Sequence, residues 1–265
     1  MKKVLLTGAG GNLGKALRKT LEGWAESIRL TDIVPITDVA AHEEFIQCDL
    51  GDYDAVYSLL TGCDAVIHLG GVSTENTFEN ILNGNIRGAY NLYEANRKQN
   101  KVRILFASSN HVVGFHERET LLDADCTMRP DSMYGVSKGF GELLARYYYD
   151  KYGIESALVR IGSCFEKPLN KRMLATWMSE ADFTRMIHKI FAADRLGCPV
   201  IYGVSDNPAV WWDNRKASYI GWSPVDSSVI FEQEDYIVNE KVDPNDPAVR
   251  YQGGGFAAAG HFEDE

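Results

Sequence analysis

In YGVSK, residues 134–138, a phenol and an ammonium stand four residues apart. On a helix that spacing puts Tyr134 and Lys138 on one face. A tyrosine ionises near pH ~10 and is a poor base at neutral pH. A cation at about 4 Å, in an effective dielectric of about 20, is worth roughly 4 kcal/mol, or about three pKa units. One lysine therefore suffices to make Tyr134 a base near pH 7. Upstream, FASSNHVVG (106–114) places Ser108, Ser109, Asn110 and His111 directly behind a strand-like run. A serine hydroxyl there orients a substrate hydroxyl for deprotonation by the phenol. The chemistry these groups offer is proton abstraction from an alcohol.

Such groups need a scaffold that also holds an acceptor for the hydride. TGAGGNLG (7–14) spaces Gly8, Gly11 and Gly14 between an apolar strand and a helix that opens at Leu13. Glycines there let the backbone approach a pyrophosphate, and the helix N-terminus offers free N–H groups and a positive dipole end. Asp32 follows 18 residues after Gly14 at the end of a second strand, where a carboxylate accepts from an adenosine ribose. It would repel a 2′-phosphate, so NAD is expected rather than NADP. Asp49 and Leu50, after a third strand, are expected beside the adenine.

Strands are predicted at Lys3–Thr7, Ser27–Asp32, Glu44–Cys48, Ala65–Leu69, Arg103–Ala107 and Ser156–Ile161. Helices are predicted at Leu13–Leu21, Tyr53–Leu60, Ile81–Gln99 (one long helix) and Ser132–Tyr152. The alternation predicts an α/β fold, a doubly wound Rossmann-type parallel sheet with helices on both faces. Doubly wound sheets bind ligands at the carboxyl ends of their strands, where the serines of FASSNHVVG fall. After Ile161 the rhythm loosens, with a helix at Phe183–Ala193 and a strand at Pro199–Tyr202. Residues 1–165 are read as the nucleotide-binding domain and 166–265 as a small C-terminal substrate lobe packed on it. Residues Gly260–Glu265 are expected to fray.

The chain of 265 residues carries a net charge of −10, which disfavours nucleic acid and anionic membrane as partners. The charge is read as a solubility feature. Five cysteines, irregularly spaced and without a C-x-x-C pair, argue against a disulfide framework or a zinc site and fit a reducing compartment. No metal is expected. The Met-Lys-Lys start leads into too few apolar residues for a signal peptide, and no stretch approaches a membrane span, so the expected location is cytoplasmic.

In combination these motifs resemble the extended short-chain dehydrogenase/reductase family over roughly residues 1–165. TGAGGNLG, the stretch Asp64–Leu69 followed by Gly70-Gly71, NIRGAYN (85–91), FASSNHVVG and YGVSK carry the resemblance. It implies a catalytic trio of Ser109, Tyr134 and Lys138, the serine being counted back from Gly114. It also implies that Asn12, Leu13, Leu69, Gly70, Gly71, Asn85, Ile161 and Cys164 attend the cofactor, Asn85 by helping to order the site behind the lysine. In many relatives the helices at Ile81–Gln99 and Ser132–Tyr152 pack subunits together, which implies a homo-oligomer. RIGSCFEKP (160–168) departs from the usual R-x-x-N-x-Y-G-P, and only about 100 residues follow it. That is little room to enclose a nucleotide diphosphate sugar.

The details instead resemble the uronate dehydrogenase subgroup, through HLGGVS (68–73), FASSNH, RIGSC, the NKRML–TW segment (170–177), WWDN (211–214) and RYQGGGF (250–256). The resemblance implies oxidation of a hexuronic acid, D-galacturonate or D-glucuronate, at C1 to the aldaro-lactone with NAD. Tyr134 would take the C1-hydroxyl proton, Ser109 would orient the C1 oxygen, and Lys138 would lower the Tyr134 pKa and bind the nicotinamide ribose. Arg172 would clamp the carboxylate, since a guanidinium matches it in bidentate fashion; Lys171 is less favoured. Ser73, Asn110, His111 and Ser163 would serve the sugar hydroxyls, and Phe256 would wall the pocket. His111 is expected to hydrogen-bond and not to ligate metal, since no acidic or histidine partner stands at ligand spacing. His68, inside an apolar strand, is read as structural. Two other readings remain open: a sugar-nucleotide epimerase or dehydratase of the same family, and a non-catalytic NAD(H)-sensing regulator, against which Tyr134 and Lys138 speak.

Overall fold

Short, nearly continuous apolar runs build the sheet. The computed structural model describes residues 1–264. The elements follow in the order β1 (Lys3–Thr7), α1 (Asn12–Thr20), β2 (Ser27–Thr31), β3 (Glu43–Phe45), α2 (Tyr53–Leu60) and β4 (Ala65–His68). A helical run then comprises α3 (Phe78–Ile81), a π-helical turn (Leu82–Arg87) and α4 (Gly88–Lys98). After it come β5 (Arg103–Ser109), α5 (Met133–Tyr152) and β6 (Ser156–Ile161). The second half adds α6 (Lys171–Thr176), α7 (Glu180–Ala192), β7 (Val200–Gly203) and the one-turn helices α8 (Asp235–Val238), α9 (Pro247–Arg250) and α10 (Gly255–Ala258).

The seven strands are parallel in the order β3-β2-β1-β4-β5-β6-β7. The winding reverses between β1 and β4, and a crevice opens there at the strands' carboxyl ends. Both faces of the sheet are covered. On β1, Val4 and Leu6 pack with Leu17, Ile28, Phe183 and Ile187 on one side, while Leu5 packs with Val56, Leu92 and Tyr93 on the other. This is the double burial a parallel sheet requires. The segment after residue 165 contributes to the same body, since β7 pairs with β6 and α7 lies in the core beside α1.

The run expected as one helix over 81–99 is broken by the π turn, and α6 is an element that the loosened rhythm after Ile161 did not reveal. At the chain end, Phe262–Asp264 forms a 3₁₀ turn and Phe78 N donates to Glu263 Oε2 at 3.4 Å. This is the contact seen for the segment expected to fray; Glu265 lies outside the described residues.

Candidate active site

The glycine loop is shaped by contacts that exclude side chains. Gly8 adopts φ +70°, and a Cβ on Gly14 would stand 2.2 Å from the Gly8 carbonyl oxygen. The β1 end therefore closes directly onto the first turn of α1. Asp32 Oδ2 accepts from Gly10 N at 2.9 Å, which fixes the carboxylate against the loop. Gly10, which the G-x-x-G-x-x-G spacing passes over, thus belongs to the site. Beneath it, Thr7 Oγ1 accepts from Gly70 N and shares a hydrogen bond with His68 Nδ1. Burial and the nearby Lys138 charge push His68 down to about 3, so it is a neutral strut between β1 and β4.

One cleft of about 1000 Å³ runs over these carboxyl ends. Gly8, Gly11, Asn12, Leu13, Gly14, Asp32, Asp49, Leu50, Leu69, Gly70, Gly71, Ile161 and Cys164 line it, together with Ser73, Ser109, Asn110, His111, Tyr134, Lys138, Ser163, Arg172 and Phe256. Of the residues expected to meet cofactor or substrate, Asn85 alone does not line it. It is buried behind the cleft, where its amide donates to Val72 O and Ser137 Oγ and accepts from Val72 N. Ser137 in turn donates to the Tyr134 carbonyl. Asn85 therefore braces the α5 helix and the loop after β4, in keeping with an ordering role and not with cofactor contact.

The helix α5 presents Tyr134 and Lys138 from its first two turns. Ser132 caps it by accepting from Gly135 N, and the Glu75 carboxylate accepts from Met133 N at 3.1 Å and Tyr134 N at 2.8 Å. An acid at a helix start satisfies free N–H groups and complements the dipole. Nothing in the local sequence marks Glu75, because the partner it serves is 59 residues away.

Burial dominates the electrostatics of the trio. It pushes Tyr134 up to about 12, a hydrogen bond with Ser109 pulls it part of the way back, and the Asp131 charge adds to the rise. It pushes Lys138 down to about 8. The lysine Nζ lies 5.6 Å from the Tyr134 ring centroid and 5.5 Å from that of Phe106. The spacing argument, in which the lysine brings the tyrosine near neutrality, leaves out this desolvation, which raises Tyr134 in the protein by itself. On β5, Ser108 turns away to donate to Glu142 Oε1 at 2.5 Å, while Ser109 lies beside Tyr134 and caps the 3₁₀ turn Asn110–Val113 by accepting from His111 N.

At the far end of the cleft, α6 delivers Arg172. Its Nε and Nη2 donate to Gln252 O at 2.8 and 2.6 Å. With the Asn110 amide oriented to satisfy both its ends, its oxygen accepts from Arg172 Nη2 at 2.8 Å and its nitrogen donates to Ile161 O at 3.1 Å. No carboxylate of the described residues lies within ion-pair distance of Arg172. Burial pulls it down to about 10, which leaves it a cation at neutral pH. Lys171 instead donates to the carbonyls of Glu240 and Val238. Ser163 shares a hydrogen bond with Thr176 Oγ1 at 2.8 Å.

His111 has an acidic partner that its neighbouring sequence does not show: its Nδ1 lies 2.8 Å from Asp131 Oδ2, 20 residues on. Its ring stacks on Phe256 with centroids 3.9 Å apart. The two residues are 145 positions apart in sequence, which is why the pairing is invisible there. Among the described residues no group of three or more His, Cys, Asp or Glu side chains is placed to hold a metal ion. Among the described residues no helix is long and apolar enough to cross a membrane.

Comparison with known proteins agrees with this geometry. The family described as the NAD dependent epimerase/dehydratase family matches residues 4–181. A uronate dehydrogenase of Agrobacterium fabrum is 50% identical over 256 residues, covering 97% of each chain. Among solved structures, a glucuronic acid dehydrogenase from Chromohalobacter salexigens superposes with a TM-score of 0.98 at 52% identity, covering 100% of this chain and 99% of the other. A point variant of uronate dehydrogenase from Agrobacterium tumefaciens, complexed with NAD, gives 0.96 at 49% identity, covering 99% of each. The chain belongs to the NAD dependent epimerase/dehydratase family, the extended branch of the short-chain dehydrogenase/reductases.

Proposed function

We propose that the protein is an NAD-dependent uronate dehydrogenase, oxidising a hexuronic acid such as D-galacturonate or D-glucuronate at C1. One observation carries the reading. An oxidative trio and a guanidinium without a carboxylate partner line the same cleft, in a chain half identical to uronate dehydrogenases along nearly its whole length. The glycine loop, with no room for side chains, and the Asp32 carboxylate suit the pyrophosphate and ribose of NAD, which when bound supplies the hydride acceptor. Arg172, braced by the Asn110 amide oxygen, holds the substrate carboxylate. Ser109 orients the C1 hydroxyl, and Tyr134 takes its proton as the C1–H bond gives up its electron pair and C1 becomes a carbonyl carbon. Because the ring oxygen stays on C1, the product is the aldaro-lactone. Lys138, in its protonated form, favours the tyrosinate.

A reducing, cytoplasmic setting and a homo-oligomer belong to the same reading. The five cysteines are free, and α4 and α5 expose Tyr90, Val136, Leu143 and Tyr147. Mixing the protein with NAD and galacturonate or glucuronate is expected to raise NADH absorbance, with a neutral hexose turning over far more slowly. Tyr134→Phe abolishes the signal while NAD still binds. No absorbance rise with either uronate would remove the activity, and equal oxidation of the neutral sugar would remove the carboxylate clamp.

A further inference from the structure

We propose that Asp131 is a positioning residue for the sugar pocket. It holds His111 as the Nδ1–H tautomer, so that Nε2 meets the uronate as an acceptor for one of its hydroxyls. The proposal rests on the uronate reading above. A carboxylate at 2.8 Å only accepts, so the proton between the two groups sits on Nδ1. In the neutral ring Nε2 then has a free lone pair and no partner among the described residues. An acceptor there takes a hydroxyl and rejects a carboxylate, which directs the charged end of the substrate to Arg172. Phe256, stacked on the imidazole at 3.9 Å and 27°, fixes the ring plane.

Asp131 is itself tightly seated. Its side chain is fully buried. Oδ1 accepts from Ser132 Oγ at 2.9 Å, the hydroxyl that caps α5. Oδ2 lies in a slot between two glycines: a Cβ on Gly114 or on Gly253 would stand 1.8 Å from it. Gly114 ends the turn that carries Asn110 and His111, and Gly253 follows the carbonyl that holds Arg172. One carboxylate therefore keys the catalytic helix, the His111 turn and the C-terminal segment to one another. Buried carboxylates that orient a histidine through its second nitrogen set its tautomer and direction in just this way.

The test combines kinetics with a substrate-free measurement. Asp131→Asn is expected to raise KM for the uronate by about tenfold to a hundredfold, the range for one charge-assisted hydrogen bond, while the NAD Kd stays within about twofold. In a His111→Ala background the same substitution is expected to change KM by less than about twofold, because Asn keeps the shape that fills the slot and the oxygen that accepts from Ser132, so that what it removes is the hold on the imidazole. Nitrogen-15 NMR of the histidine-labelled unmodified protein, with His111 assigned by its loss in His111→Ala, is expected to show the neutral ring protonated at Nδ1. An equal cost in the His111→Ala background, or a neutral ring protonated at Nε2, overturns the proposal. Failure of the unmodified protein to oxidise any uronate would instead strike the functional reading, since the NMR result needs no substrate.

Discussion

Tyr134 and Lys138 sit in a desolvated crevice, and both are displaced toward their neutral forms, to about 12 and about 8. A Coulomb estimate from spacing alone captures the attraction between the two and omits the loss of water that opposes it. Lys138 therefore stores a conditional cost. Its folded pKa is lowered from 10.5, so between about 8 and 10.5 the unfolded chain binds more protons and stability rises with pH. Lys138→Met is accordingly expected to be more stable than the unmodified protein at pH 7, by of the order of 3 kcal/mol, with the advantage shrinking as pH passes from 8 to 10.5. Denaturant titrations across that window measure it, and an advantage that grows with pH would contradict the burial account. Arg172 is the matching residue at the substrate end. Arg172→Ala is expected to raise KM for the uronate about a hundredfold and lower kcat far less, and Arg172→Lys to restore little, because an ammonium cannot keep the paired bonds to Gln252 O and still reach the substrate. Steady-state kinetics at saturating NAD decide this.

Elements position these residues through contacts that are remote in sequence. The α5 helix has no acid in its own first turn and borrows Glu75 from the loop after β4. Glu75→Ala is expected to cost about 1 kcal/mol of stability, as for a lost helix cap, and to lower kcat because Tyr134 N is one of the two groups released. Thermal denaturation and turnover on the same sample test both effects; unchanged kcat would confine Glu75 to a structural role. The π turn at Leu82–Arg87 is a second case. Its extra residue redirects the side chains, and Asn85 reaches Val72 and Ser137 through it. Apolar periodicity over residues 81–99 reads as a continuous helix because a one-residue insertion in the ladder leaves the spacing on either side intact.

Across the whole molecule, the cleft floor depends on a buried ion pair that serves no ligand directly. Arg160 on β6 meets Glu142 on α5 at 2.9 and 2.8 Å, Ser108 donates to the same carboxylate, and Tyr202 on β7 accepts from Arg160 at 3.0 Å. Removing one partner leaves an uncompensated buried charge, so Glu142→Ala is expected to destabilise the fold by about 3–5 kcal/mol, read from denaturant unfolding. A loss below about 1 kcal/mol would mean that water reaches Arg160. The sequence by itself determined the doubly wound parallel sheet, the glycine loop with Asp32 and the pairing of Tyr134 with Lys138, because each is encoded by short-range periodicity or fixed spacing; resemblance singled out Ser109 as their partner. It determined, through resemblance, which substrate to expect. Tertiary structure alone decided that Glu75 caps the catalytic helix, that Asn85 braces it from behind the cleft, and that Asp131 and Phe256 grip His111. It also decided the protonation balance of Tyr134 and Lys138. Those features arise from burial and from contacts between distant segments, and desolvation exists only once the chain has closed around the groups it shifts.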